Sequence, residues 1–356
     1  TGFLGRALLP RLQGGGHDVV SLGRRPAAGS AAHRAWDMAD PAVPARPIGS
    51  VIVPTRNRRA YLEEALESVR RQTFERWEIV VVDDASEDGT RAWIEALRDD
   101  RLRLLGMESN VGSTITRNAG LEAARGDYCL FLDDDDLLPP DALARHVAAI
   151  AAHPAAIATL GAVGRVDAAG APAPGLLRPV RSPKLHGDVW RDVLFWWVWV
   201  VGVSLFRRSA LEAVGGFDES IRFYGDDVDL WLRLGHGGEV VLRPETVLLF
   251  RSHDQTRPDD YLELLATLRR RHAATCDPAH RAAARRVVAA HDALSDLRVR
   301  AGRPGNLGRI AKLLARVARC PALLASPLSS RQIGAAIRRD LAMDPWLRSL
   351  PGRRGR

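Results

Sequence analysis

Twice in this chain a continuous apolar run ends directly on neighbouring acids: Ile79–Val82 before Asp83 and Asp84, and Tyr128–Leu132 before Asp133, Asp134, Asp135 and Asp136. A segment apolar at every position suits a strand buried on both faces, as in a parallel sheet covered by helices. The polar clusters then fall just past the carboxyl ends of strands, where open α/β sheets hold ligands. From Ser50 onward the rest of the pattern agrees. Ser50–Val53 reads as a short strand, and a helix over residues 61–72 sets Leu62, Leu66 and Val69 on one face with Glu63, Glu64 and Arg70 outward. A helix over 90–97, a strand over 102–105, a helix over 114–124 and a strand over 128–132 follow. Strands alternating with helices predict an α/β domain with a mostly parallel sheet.

The 356 residues, 46% apolar and 26% charged, are a normal globular mixture, which excludes collagen, a disulfide scaffold and disorder throughout. Cys129, Cys276 and Cys320 lie far apart without CxxC spacing, so a reducing, cytoplasmic setting is expected. The longest uncharged apolar run, Val193–Phe206, has 14 residues, short of the ~20 that a spanning helix needs. No transmembrane span is predicted.

The flanks differ from the middle. Residues 259–356 hold 20 Lys and Arg against 8 Asp and Glu, while the whole chain is +8, so the remainder is net acidic. That asymmetry argues against nucleic acid as a partner and marks residues 259–356 as a basic, helical C-terminal region. Within it, residues 310–318 set Leu313, Leu314 and Val317 against Lys312, Arg316 and Arg319, a pattern that suits either an anionic membrane surface or packing on the main domain. At the other end, Thr1-Gly2-Phe3-Leu4-Gly5-Arg6 and His17–Arg25 resemble the start of an extended short-chain dehydrogenase/epimerase. Its first strand is missing and the chain has no Tyr-x-x-x-Lys, so residues 1–47 are read as a truncated remnant and linker.

Carboxylates are the ligands that hard divalent cations prefer, and a cation would relieve the repulsion among Asp133–Asp136. A solvated acidic turn capping a helix near Pro140 is the alternative. The order of the neighbouring motifs favours the cation. Val51-Ile52-Val53-Pro54-Thr55-Arg56-Asn57 is followed by Glu78–Thr90 with its Asp83-Asp84 pair, then by Asn110-Val111-Gly112 and Arg117-Asn118-Ala119-Gly120, then by the acid run. This series closely resembles the family 2 glycosyltransferases, which have a GT-A fold, over about residues 48–255; a domain over 48–258 is expected.

The resemblance implies an inverting, metal-dependent glycosyltransferase of hexosyltransferase type, using Mn²⁺ or Mg²⁺ and a nucleotide-sugar donor, most simply a UDP-sugar. By it, Pro54, Thr55 and Asn57 line the nucleotide pocket, and an acid of the Asp83–Asp84 pair accepts from the base. Arg117 approaches the diphosphate. Asp133 and Asp134 lie near the sugar nucleotide, and Asp135 ligates the metal with Asp133 and His253. In Gly225-Asp226-Asp227, Asp227 is the general base and Asp226 its support, standing where the family has Glu. Each has a bland alternative: helix capping for Asp83, Asp84, Asp226 and Asp227, a surface position for Arg117 and His253. Trp190, Trp196, Trp197 and Trp199 are read mainly as core. The chain lacks a Gln-x-x-Arg-Trp motif, which favours single addition to a glycan, lipid-linked or protein hydroxyl, with the basic region touching the inner face of a membrane. An NADP-dependent epimerase and a noncatalytic membrane tether are the competing classes.

Overall fold

The computed structural model describes residues 47–178, 184–187, 193, 201–221, 224–236, 238–252, 261–299 and 315. The dehydrogenase-like segment, the four tryptophans, His253 and, but for Ala315, the cationic stretch 310–318 lie outside the described residues.

The first half alternates as the sequence predicts: β1 (Gly49–Thr55), α1 (Arg59–Arg70), β2 (Trp77–Asp83), α2 (Thr90–Ala96), β3 (Leu102–Gly106), α3 (Ser113–Ala123) and β4 (Tyr128–Phe131). Then come α4 (Ala142–Ala151), β5 (Ala156–Val166), β6 (Pro172–Arg178), β7 (Lys184–Gly187), β8 (Ser204–Arg207), α5 (Arg208–Ala213), α6 (Asp226–Leu234), β9 (Glu239–Arg251), α7 (Tyr261–Thr275) and α8 (Pro278–Val299). They form one sheet in the order β3-β2-β1-β4-β8-β5-β9-β7, with β6 on β5. The strands β1 to β4 are mutually parallel, while β8 runs antiparallel between β4 and β5, so the second half is mixed.

Side-chain pattern explains the burial. Every residue of β2 is buried, as its unbroken apolar run requires, and α1 buries Leu62, Ala65, Leu66 and Val69 at helical spacing. The core joins Ile52, Val80, Leu130, Phe206 and Trp231 across both halves of the sheet. Close approach of α3 to the sheet depends on Gly120, where a Cβ would overlap Ile52 Cγ2 and stand 3.2 Å from Val82 Cγ2. That close approach brings the polar face of α3 to the edge where β1, β2 and β4 end.

Candidate active site

Register alone aligns the strand ends. Thr55 faces Asp83 across β1 and β2, and the Leu132 N–H donates to the Ile52 carbonyl at 2.9 Å, so the acids follow β4 at the same level. Pro54, half-buried, and Thr55, buried, close β1. Asn57 adopts a left-handed φ of 53°, which asparagine tolerates. Its N–H donates to Ser86 Oγ at 2.9 Å and its Oδ1 accepts from the Glu87 N–H at 2.7 Å, tying together the loops after β1 and β2.

The paired acids at the end of β2 fasten α2 and the loop before α3 rather than capping a helix. Asp83, fully buried, accepts from Arg91 Nε at 3.1 Å and Nη2 at 2.9 Å. Asp84 accepts the Val111 and Gly112 N–H groups at 2.7 and 3.0 Å, fixing the loop that enters α3. The N-cap of α2 is Gly89, so the capping alternative is set aside for both.

Each acid of the run has a different partner. Asp133, with a side chain 45% exposed, accepts from Arg117 Nη2 at 2.6 Å. Asp134 accepts from Thr55 Oγ1 at 2.7 Å and from Arg58 Nη1 at 3.3 Å, and the same Nη1 donates to Asp135 at 2.8 Å. Asp136 accepts the Arg251 N–H at 3.0 Å. Burial, opposed by Thr55, pushes Asp134 up to about 7, and burial with its acidic neighbours holds Asp136 well above the carboxylate range. The α4 N-cap position is Asp141, so the run does not cap that helix. Arg251, fully buried, donates to the Asp135 carbonyl at 2.8 Å, Ala168 O at 3.0 Å and Glu64 at 2.7 Å, fastening the acid turn to α1 and β9.

Arg117 is not a surface residue but 8% exposed. Its Nη1 donates to Asp226 while Nη2 holds Asp133, so one guanidinium joins the acid turn to the start of α6. Burial works against its charge, but Asp226 and Asp133 more than offset that and raise its pKa. The N-cap of α6 is Gly225 at φ 87°, so neither Asp226 nor Asp227 fills the capping position. Asp226 is buried, which raises its carboxyl despite Arg117, whereas Asp227 is half-buried.

Two residues on α3 were not assigned roles by sequence reasoning. Thr114 Oγ1 donates to the Ile221 carbonyl, and Asn118 donates to Phe217 O and Glu219 Oε1, both at 3.0 Å, while accepting the Phe217 N–H at 2.8 Å. With Arg117 they form one polar helix face at i, i+3 and i+4 spacing, and that spacing was the available signal.

Asp133, Asp134 and Asp135 offer hard oxygen donors, the chemistry a Mg²⁺ or Mn²⁺ ion takes. Arg58, whose side chain is 44% exposed, supplies positive charge to two of them. Among the described residues no three His, Cys, Asp or Glu side chains converge as a ready metal site.

Residues 50–214 match the family model for glycosyl transferase family 2. The chain is 39% identical over 104 residues to the putative teichuronic acid biosynthesis glycosyltransferase TuaG of Bacillus subtilis, covering 29% of this chain and 41% of that protein. It is 43% identical over 97 residues to the GalNAc(5)-diNAcBac-PP-undecaprenol beta-1,3-glucosyltransferase of Campylobacter jejuni, covering 26% of this chain and 31% of that one. It thus spans less than half the length of these relatives. Crystal structures of S. aureus TarS 1-349 share the fold. The complex with UDP superposes with TM-score 0.55 at 22% identity over 68% of this chain and 70% of TarS 1-349. The complex with UDP-GlcNAc gives 0.56 at 20% identity over 83% and 88%. Residues 50–214 therefore belong to glycosyl transferase family 2, on the GT-A fold.

Proposed function

We propose that this protein transfers one sugar from a UDP-sugar to a hydroxyl of a cell-surface glycan or glycoconjugate, with inversion at the anomeric carbon. The observation that carries this reading is the Arg117 bridge, because it sets the acid turn and the Asp226–Asp227 turn on opposite sides of one buried cation. The TarS complexes with UDP and UDP-GlcNAc support the donor class, and the names of the teichuronic acid and undecaprenol-linked relatives support the acceptor class.

In this reading Pro54, Thr55, Asn57 and the Asp83–Asp84 pair shape the nucleotide pocket. Arg117 is the cation assigned to the diphosphate; its Nε is buried and without a hydrogen-bond partner, and an unmet buried donor costs roughly 1–3 kcal/mol. Asp135 and Asp133, with His253, would hold a divalent ion, which neutralises charge on the departing nucleotide when bound. The Asp227 carboxylate takes the acceptor's proton as that oxygen bonds to the anomeric carbon and the C–O bond to the diphosphate breaks on the opposite face. Asp226, fixed by Arg117, keeps the turn in place. The basic C-terminal region is proposed to bring the enzyme to an anionic membrane surface; among the described residues no helix is long and apolar enough to cross one.

The test is a thermal-shift panel of nucleotide sugars with and without Mn²⁺, where donor at 100 times its Kd should add ~2.7 kcal/mol of stability. Asp135→Ala is expected to abolish the Mn²⁺-dependent part of UDP binding. Equal UDP affinity in wild type and variant, with and without metal, would overturn the metal assignment.

A further inference from the structure

Outside the site, three imidazoles gather where α6, α7 and α8 meet. His236 Nε2, just past the end of α6, lies 2.9 Å from His272 Nε2 on α7, with the ring centres 5.0 Å apart and the ring planes 16° from parallel. His280 of α8 stands 4.8 Å from the His236 ring centre. A hydrogen bond between two ring nitrogens needs one to donate and the other to accept, so the contact holds only while the accepting ring is neutral at Nε2. Nearby charges are Arg233, held by Asp229 on α6 at 2.8 Å, and Arg271 on α7, paired to Asp218. Burial, with His236 and Arg233 adding to it, depresses His272 to about 4.

The same helix meets the other end of α6. Gly225 turns left-handed at φ 87° to start α6, and a Cβ there would stand 2.6 Å from Leu268 Cδ1 and 3.7 Å from Leu265 Cδ2. Leu265 and Leu268 are buried, so they are seated directly on the backbone that presents Asp226 and Asp227. Arg271 reaches the loop ahead of that turn through Asp218, whose carboxylate also accepts from the Ser220 N–H at 3.0 Å and Oγ at 2.7 Å. Leu265, Leu268 and His272 recur at i, i+3 and i+7, so these contacts come from one face of α7.

We propose that α7 is a positioning element for the Gly225–Asp226–Asp227 turn, with Leu268 seating the turn, Arg271 fixing the loop before it and His272 latching the far end of α6. The catalytic unit then extends to Thr275 rather than ending near residue 258, and this rests on the reading of Asp227 as the base. These residues touch no reacting atom; they act through the turn. Hydrogen exchange on the full chain tests it together with kinetics. In Leu268→Ala and in Arg271→Gln, whose side chain is half-exposed and so carries little of the core, amides 226–229 should exchange at least 10-fold faster while β1 and β2 stay as protected as in wild type. kcat should fall at least 10-fold with the donor KM within twofold. Wild type is expected to loosen at the far end of α6 between pH 6 and pH 4, and His272→Gln, which keeps a hydrogen-bonding side chain but takes up no proton, should lose that pH dependence. Unchanged exchange at 226–229 in both variants, or faster exchange shared equally with β1 and β2, would overturn the proposal. An unaltered pH profile in His272→Gln would remove the latch from it. A wild-type chain that transfers no sugar from any donor would instead sink the functional reading, while the exchange comparison would still decide this one.

Discussion

Asp227 and Asp226 are adjacent in sequence, yet their surroundings differ. Asp226 is buried against Arg117, whereas Asp227 is half-buried at the first turn of α6 and is the more accessible of the two carboxylates. Asp227→Asn is expected to leave UDP-sugar affinity within about twofold, as measured by calorimetry, and to lower kcat by ~10²–10⁴, the usual contribution of a general base; an active variant would place the base elsewhere. A second residue reports on pH. His146, buried with Nδ1 2.7 Å from Thr159 Oγ1, has its pKa lowered by burial to about 3. Below its ordinary value of 6.5 the unfolded chain takes up a proton that the fold refuses. Stability is therefore fully present above pH 6.5 and lost as pH falls toward 3. Between pH 7 and pH 5 the loss from this one group is about 2 kcal/mol. Asp134 works the other way, its raised carboxyl favouring the fold at low pH and losing that contribution as pH rises toward about 7. Comparing urea unfolding of wild type and His146→Gln at both pH values cancels the Asp134 part, and a difference near zero would refute the His146 assignment.

Among elements, α3 carries the most. One face lies on the sheet through Gly120, and the other holds the loop before α6 through Thr114 and Asn118 and the start of α6 through Arg117. Gly120→Ala forces a methyl group against Ile52 and should destabilise the protein by about 1–3 kcal/mol, read as a lower urea midpoint at unchanged slope. Because the helix would lift, donor affinity should fall as well; full stability in the variant would show that α3 and β1 have room to part. Most of the parallel half of the sheet was legible, since β1 to β4 and α1 to α3 follow periods of two or 3.6 residues, or unbroken apolar runs. The insertion of β8 between β4 and β5 was not legible. Strand order depends on contacts between segments far apart in the chain, here Leu205 pairing with both Leu130 and Thr159, and no local pattern encodes that choice.

At the scale of the molecule, the sequence sets residues 50–214, which match the family, between flanks of different composition. Deleting residues 1–47 is expected to leave transfer activity and the melting temperature of the remaining domain within a few degrees of the full chain; loss of the folded domain on that deletion would show that the segment belongs to it. The sequence by itself determined the parallel half of the fold, the strand ends at which the acids collect and the family match of residues 50–214, because these depend on local periodicity and on residue types in fixed order. Tertiary structure decided what surrounds each acid. Asp133, Asp134, Asp135 and Asp136 are equivalent in sequence, but burial and the separate arrival of Arg117, Thr55, Arg58 and Arg251 give them four different environments. Charge interactions depend on distance and on exclusion of water, and both are properties of the packed chain rather than of its order.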